Sequence, residues 1–186
     1  MKIFKSYYLA ELKTKLIHTI LLPKIDAFFK EKSWNYILIG RTALHYYGAT
    51  TLSDQIELLV EIHEKSFIKE IILNIPNLNS FVEYEGKLSF KYKKIRIIVY
   101  ITQSTNINQI QFPKFNEIPT NSNTHVALCT LPAFVSLSLI QAKFDRSFIP
   151  LSYIELLFEK KELRFDTNLF QFPSIGIEIT KDFFYI

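Results

Sequence analysis

Cysteine and glycine are scarce in this 186-residue sequence, and each shortage excludes a class of site. The single cysteine, Cys129, excludes an internal disulfide and a zinc site built from cysteines, so we expect a cytoplasmic location. Four glycines leave no Gly-x-Gly-x-x-Gly or Walker-type loop to wrap a phosphate. No apolar run approaches about 18 residues and the N-terminus lacks a signal-peptide pattern, so we expect neither a membrane span nor any membrane partner.

Arginine is also rare, although the chain is basic. The 22 Lys and Arg residues exceed the 18 Asp and Glu residues by four, which permits weak attraction to polyanions. The four arginines are Arg41, Arg96, Arg146 and Arg164. A dedicated reader of phosphates or bases usually carries more guanidinium groups, because these make bidentate contacts that an ammonium group cannot. Composition therefore allows nucleic-acid binding without requiring it.

Hydrophobic periodicity predicts an α/β (α+β) domain in which about five strands are flanked by helices. Residues 7–32 have a helical period that breaks at Pro23. The predicted strands are 34–39, 55–62, 81–84, 87–92, 95–101 and 126–128. The predicted later helices are 42–47, 64–74, 130–144 and 152–162.

Turns and loops join these elements. Glu85-Gly86 and Lys93-Lys94 are the predicted turns of a three-strand meander, and the polar stretch 102–124 is predicted to be a long surface loop. Residues 165–186 are rich in aromatic residues and are expected to pack as extended chain on the core. We divide the chain into an N-terminal helical segment (1–33), an α/β core (34–128) and a C-terminal portion of helices and aromatic tail (129–186), which together form one compact unit.

The sequence YILIGRTALHYYG (36–48), followed by TLSDQIELLV (51–60), resembles the opening of small bacterial nucleotidyltransferase-fold proteins of the AbiEii-type and minimal kinds. Those families have a strand ending in Gly-Gly or Gly-Ser, a helix, and a strand carrying Asp-x-Asp. Residues 94–101 look like the strand that holds a third carboxylate in the family, and 131–157 look like the helical part that follows. The resemblance covers about two-thirds of the chain and implies a mixed sheet of about five strands in nucleotidyltransferase-like order, followed by a helical C-terminal portion.

The carboxylates that the family uses are mostly missing. Two magnesium ions held by carboxylates neutralise the triphosphate in this chemistry. The resemblance places Gln55 and Glu57 at the two Asp-x-Asp positions, and residues two apart on a strand share a face. Asp54 would point the other way unless the strand begins with a bulge. The third strand has Ile98 and its apolar neighbours at the place of an acid.

We therefore expect no metal site and no cofactor, with Mg²⁺ bound only if the chain is an active enzyme. Asp54, Gln55 and Glu57 remain as vestigial catalytic candidates. Glu57 on its own is typical of a solvated carboxylate at the end of a sheet.

Two further groups of residues are candidates for anion binding. Gly40, Arg41 and Thr42 stand at the family's phosphate-binding turn, although Arg41 replaces a small residue there. A basic cluster surrounding Tyr92 has the form of a nucleic-acid patch, and it consists of Lys91, Lys93, Lys94 and Arg96. Lysines at a hairpin also protect sheet edges from pairing with other chains, which is the commoner reason for them.

The leading hypothesis is a pseudoenzyme, a catalytically degenerate nucleotidyltransferase-fold protein that acts as a binding or assembly module. Its expected partner is another protein or a second copy of itself, with weak nucleotide or nucleic-acid binding. Two alternatives stay open: an active toxin-like nucleotidyltransferase that transfers a nucleotide to RNA or protein, and a nucleic-acid-binding module.

Overall fold

The structure, a computed structural model, describes residues 2–49, 52–61, 78–84, 87–92, 94–101, 112–121, 125–145, 154–155, 157 and 169–175. Two N-terminal helices, α1 (Lys2–Leu16) and α2 (Leu22–Glu31), are joined by a π-helical turn over Ile17–Leu21. Pro23 is the second residue of α2 and follows directly after the π-helical turn. The helical period therefore changes next to Pro23 by a change of helix type, while the backbone stays helical through the position of the predicted break.

A five-stranded mixed sheet forms the centre of the molecule, which confirms the predicted fold class. Its strands are β1 (Tyr36–Ile39), β2 (Gln55–Val60), β3 (Leu78–Tyr84), β4 (Lys87–Tyr92) and β5 (Ile95–Ile101). They lie in the order β1-β2-β5-β4-β3, with β2 and β5 parallel and the other neighbours antiparallel. A short helix, α3 (Gly40–Tyr46), joins β1 to β2. The helix predicted over 64–74 and the turn at Glu85-Gly86 lie outside the described residues.

The polar stretch 102–124 is not a surface loop throughout, so that prediction is wrong for residues 112–121. Phe112 and Ile118 are buried there, on either side of a 3₁₀ turn over Phe115–Glu117. A short strand, β6 (Thr120–Asn121), pairs with β7 (Leu128–Cys129). A few apolar side chains anchor the segment to the core. The prediction failed because Asn, Gln and Thr residues dominate the composition of the stretch and outweigh these few apolar residues. Residues 102–111 and 122–124 lie outside the described part.

Both faces of the sheet are covered near β1 and β2. Every residue of β1 is buried, as is every residue of β2 after Gln55. Helix α4 (Leu131–Asp145) is buried from Ala133 to Ala142, a stretch in which all residues except Ser136, Ser138 and Gln141 are apolar. Phe29 of α2 packs against Tyr36 with the ring centroids 4.8 Å apart.

Part of the aromatic tail packs on this core as expected. The Phe170 N–H donates to Ser136 Oγ of α4, at 2.8 Å, and Phe172 is buried. The capping box at Ser152 and the rest of the tail lie outside the described residues, and the division of the chain at 33 and 128 stays a prediction. In the part of the chain described, no helix combines the length and apolarity needed to cross a bilayer.

Candidate functional site

Glu57, the third residue of β2, is buried at the centre of the site, with only 5% of its surface exposed. Gln55 Nε2 donates a hydrogen bond to its Oε1 at 2.8 Å, and Gln141 Nε2 of α4 donates to its Oε2. The interpretation of Glu57 as a solvated carboxylate is therefore wrong, because α4 brings Gln141 against that oxygen. Each oxygen of the carboxylate therefore accepts a hydrogen bond from a protein amide.

Gly40 makes room for this carboxylate. It begins α3 with φ +65°, and a Cβ added there would lie 2.3 Å from Glu57 Oε1. A side chain at position 40 would therefore meet both a left-handed backbone and a clash. The sequence pattern predicts that a phosphate lies close to the Gly40 backbone. In this structure the Glu57 carboxylate lies there.

Sequence reasoning missed Gln141 and Tyr100, which complete the network. Gln141 Nε2 also donates to the Tyr100 hydroxyl of β5 at 3.0 Å. Gln141 is 2% exposed, and its Oε1 has no hydrogen-bond partner among the described atoms. A signal was present, because an amide side chain between the apolar residues Ile140 and Ala142 of α4 needs a polar partner where the helix is buried.

The other two positions for metal ligands contain no buried acid. The parallel register places Ile98 beside Glu57 and Arg96 beside Gln55. The Asp54 carboxylate is 57% exposed and lies 3.5 Å from Lys13 Nζ of α1. The described residues contain no group of three or more His, Cys, Asp or Glu side chains that could hold a metal ion. Proteins usually hold magnesium with one or two carboxylates, and waters and phosphate oxygens complete the shell. Glu57 is the one buried carboxylate among the described residues here and each of its oxygens accepts an amide hydrogen bond, so this donor set fits the ion poorly.

Arg41 and Thr42, the two other candidates for phosphate binding, make hydrogen bonds within the protein. The Thr42 hydroxyl is buried and donates to the Gln55 carbonyl at 2.5 Å. Ser53 Oγ donates to the same carbonyl at 2.7 Å. Arg41 Nη1 donates to the Leu52 carbonyl at 3.2 Å. These bonds fix the segment that leads into β2, which sets the position of Gln55.

A cleft of about 490 Å³ opens at the start of β2 and β5. Its described lining consists of Asp54, Gln55, Lys91, Lys94 and Arg96. Lys91 pairs with Arg96, and Arg96 pairs with Gln55, so these three side chains share one face across three adjacent strands. Lys93 lies outside the described residues. The cleft thus combines three of the four predicted basic residues with two of the three catalytic candidates.

A second polar cluster lies between α3 and the π-helical turn. The rings of His18 and His45 lie 4.2 Å apart, and His18 Nδ1 is 3.3 Å from the Tyr46 hydroxyl. Burial, aided by the nearby His45, lowers the pKa of His18 to about 4. His18 is therefore neutral at physiological pH, and the rings of His18, His45 and Tyr46 pack against one another.

Comparison with known proteins identifies the fold. No protein-family model matches the sequence, and no curated protein matches it. Among solved structures, an antigenic nucleotidyltransferase-like protein from Paracoccidioides brasiliensis aligns with a TM-score of 0.53 at 12% identity, covering 79% of this chain and 80% of that one. The antibiotic-resistance factor ANT(2'')-Ia aligns with a TM-score of 0.54 at 14% identity, covering 81% and 84%. The chain therefore has the nucleotidyltransferase fold, and identities this low establish the fold alone.

Proposed function

We propose that this chain is a nucleotidyltransferase-fold protein that has lost metal-dependent transfer and acts as a binding module. The hydrogen bonding of Glu57 is the observation that carries the proposal. Its Oε1 accepts from Gln55 at 2.8 Å and its Oε2 accepts from Gln141. Each oxygen of this carboxylate already accepts an amide hydrogen bond, so a cation would have to compete with these donors for the remaining lone pairs.

Charge supports the same conclusion. Phosphoryl transfer places negative charge on several oxygens together, and divalent ions held by carboxylates neutralise it. Across the strands, Glu57 is paired with Ile39 of β1 and Ile98 of β5, and Arg96 lies two positions before Ile98 on the same face. An isoleucine offers no ligand, and a guanidinium group repels a metal ion.

Loss of transfer can be tested with purified protein. The protein is incubated with Mg²⁺ or Mn²⁺, each labelled nucleoside triphosphate, and RNA or protein acceptors. We expect no more labelling than for Glu57→Ala, whose folding is checked by circular dichroism. Labelling of the unaltered protein that Glu57→Ala abolishes would overturn the proposal in favour of an active nucleotidyltransferase.

A melting assay gives a second measurement that does not depend on the acceptor. A ligand that binds the native state raises the melting temperature. We expect Mg²⁺ alone to leave the melting temperature unchanged. A rise with Mg²⁺ that disappears in Glu57→Ala would show a working metal site.

A further inference from the structure

We infer that the cleft binds phosphate groups without a metal ion, and that Lys91, Lys94 and Arg96 supply the positive charge that divalent ions supply in active enzymes of this fold. The inference deepens the proposed function and rests on it. The ligand is a phosphate-bearing molecule, either a free oligophosphate or the backbone of a single-stranded nucleic acid, because the recognising chemistry is the same for both.

The row of cations formed by Lys91, Lys94 and Arg96 destabilises the sheet through charge repulsion. Lys91 and Arg96 are directly paired across β4 and β5, where like charges are destabilising. Both side chains are exposed, and so is Lys94. Among the residues that the structure describes, Lys13 and Lys30 form ion pairs, whereas these three cations form none. An anion bound among these three cations would relieve their mutual repulsion.

Edge protection does not explain the row. The outer strands of the sheet are β1 and β3, whereas Lys91 and Arg96 lie on the inner strands β4 and β5. Lys91 is paired with Asn79 of β3 on its other side. These strands have no open edge to protect, so the interpretation that lysines guard the sheet fails at these positions.

The cleft suits a small group of phosphates. Its volume of about 490 Å³ falls within the usual range for small-ligand sites. Asp54 is the one carboxylate in its described lining, and it already lies 3.5 Å from Lys13 Nζ. Gln55 lines the cleft and also contacts Glu57, so it separates the buried carboxylate from an incoming anion. The remaining charge of the described lining is positive.

Lys94 adds a distinct feature. It has φ +81° in the turn between β4 and β5, a conformation in which glycine would be relaxed. Lys94→Gly therefore removes a cleft charge while relieving backbone strain. This variant separates loss of binding from loss of folding.

The test measures binding of inorganic tripolyphosphate and of a single-stranded 12-nucleotide RNA, in EDTA and in Mg²⁺, by titration calorimetry and fluorescence anisotropy. We expect binding in EDTA that weakens about tenfold in Lys91→Gln and in Lys94→Gly, since each removes one charge-assisted contact. Lys24→Gln, an exposed lysine of α2 outside the cleft, is the charge-matched control and should bind normally. For RNA held by three cations, raising the salt from 50 to 200 mM should weaken binding roughly 20-fold.

Each outcome has a definite meaning. Tripolyphosphate binding without RNA binding supports a free oligophosphate as the ligand, and RNA binding that depends on the same variants supports a nucleic acid. Binding that needs Mg²⁺ would overturn both the inference and the proposed function. Absence of binding under all conditions, or binding equal in all variants, would overturn the inference alone and favour a protein partner, because the transfer assay stands independently.

Discussion

Gly40→Ala is the substitution that most directly tests the enclosed position of Glu57. The new Cβ would lie 2.3 Å from Glu57 Oε1, on a backbone with φ +65°. An L side chain in the left-handed region costs about 1–2 kcal/mol. The carboxylate must also move and give up one hydrogen bond to a charged group, which costs about 1.5–3 kcal/mol. We expect the free energy of unfolding to fall by roughly 2.5–5 kcal/mol in total.

Urea unfolding followed by fluorescence measures this change. Trp34 is the sole tryptophan and packs edge-on against Phe28 and Phe29, so its emission reports the folded state. Gly48→Ala is the control, because Gly48 also has positive φ (+89°) but is exposed. It should cost only about 1–2 kcal/mol.

A double-mutant cycle isolates the clash from the backbone strain. In the Glu57→Ala background there is no carboxylate to displace, so Gly40→Ala should cost about 1.5–3 kcal/mol less than it does in the unaltered protein. Strictly additive effects of the two substitutions, together with equal costs of Gly40→Ala and Gly48→Ala, would refute the enclosed geometry.

Proton, salt and metal titrations probe three other features of the chain. Burial lowers the pKa of His18 from 6.5 to about 4, so the unfolded state binds a proton at this histidine more tightly than the folded state does. The free energy of unfolding should therefore fall as the pH drops from about 6.5 to about 4. His18→Phe should make this pH dependence smaller, as measured by urea titrations at each pH. Lys91→Gln should raise the free energy of unfolding by about 0.2–1 kcal/mol at low salt, because it relieves the repulsion from Arg96. This gain should vanish near about 1 M salt, where charges are screened. A gain that persists at this high salt would contradict the charge argument. Gln55→Asp sets a second carboxylate beside Glu57, so its melting temperature should fall without divalent ions and recover with Mg²⁺, whereas that of the unaltered protein should not respond.

Much of the fold follows from local sequence signals. Pro23 marks the change from the π-helical turn to α2, Gly40 ends β1, and the strands on either side of Lys94 stop within a residue or two of their predicted bounds. These features depend on neighbours in the chain, which a sequence displays directly. The order of strands followed from the resemblance to a known fold and not from the periodicity.

The shortage of acids in the site could also be read from the sequence, because it concerns single positions on β2 and β5. The burial of Glu57 could not be predicted from the sequence. Gln141, which donates to it, lies 84 residues further along the chain, and no local pattern connects the two. The unusual position of Lys91 likewise depends on β4 being an inner strand, which follows only from the sheet order.

The position of Cys129 gives the protein an intrinsic reporter of local opening. Its side chain is fully buried in β7, and burial raises the pKa of the thiol to about 12. Only a thiolate attacks an electrophile, so in the closed molecule a maleimide can neither reach this sulfur nor react with it quickly. The labelling rate should therefore follow the fraction of molecules in which β7 has separated from its surroundings. Comparing that rate with global unfolding would tell whether this part of the fold opens by itself.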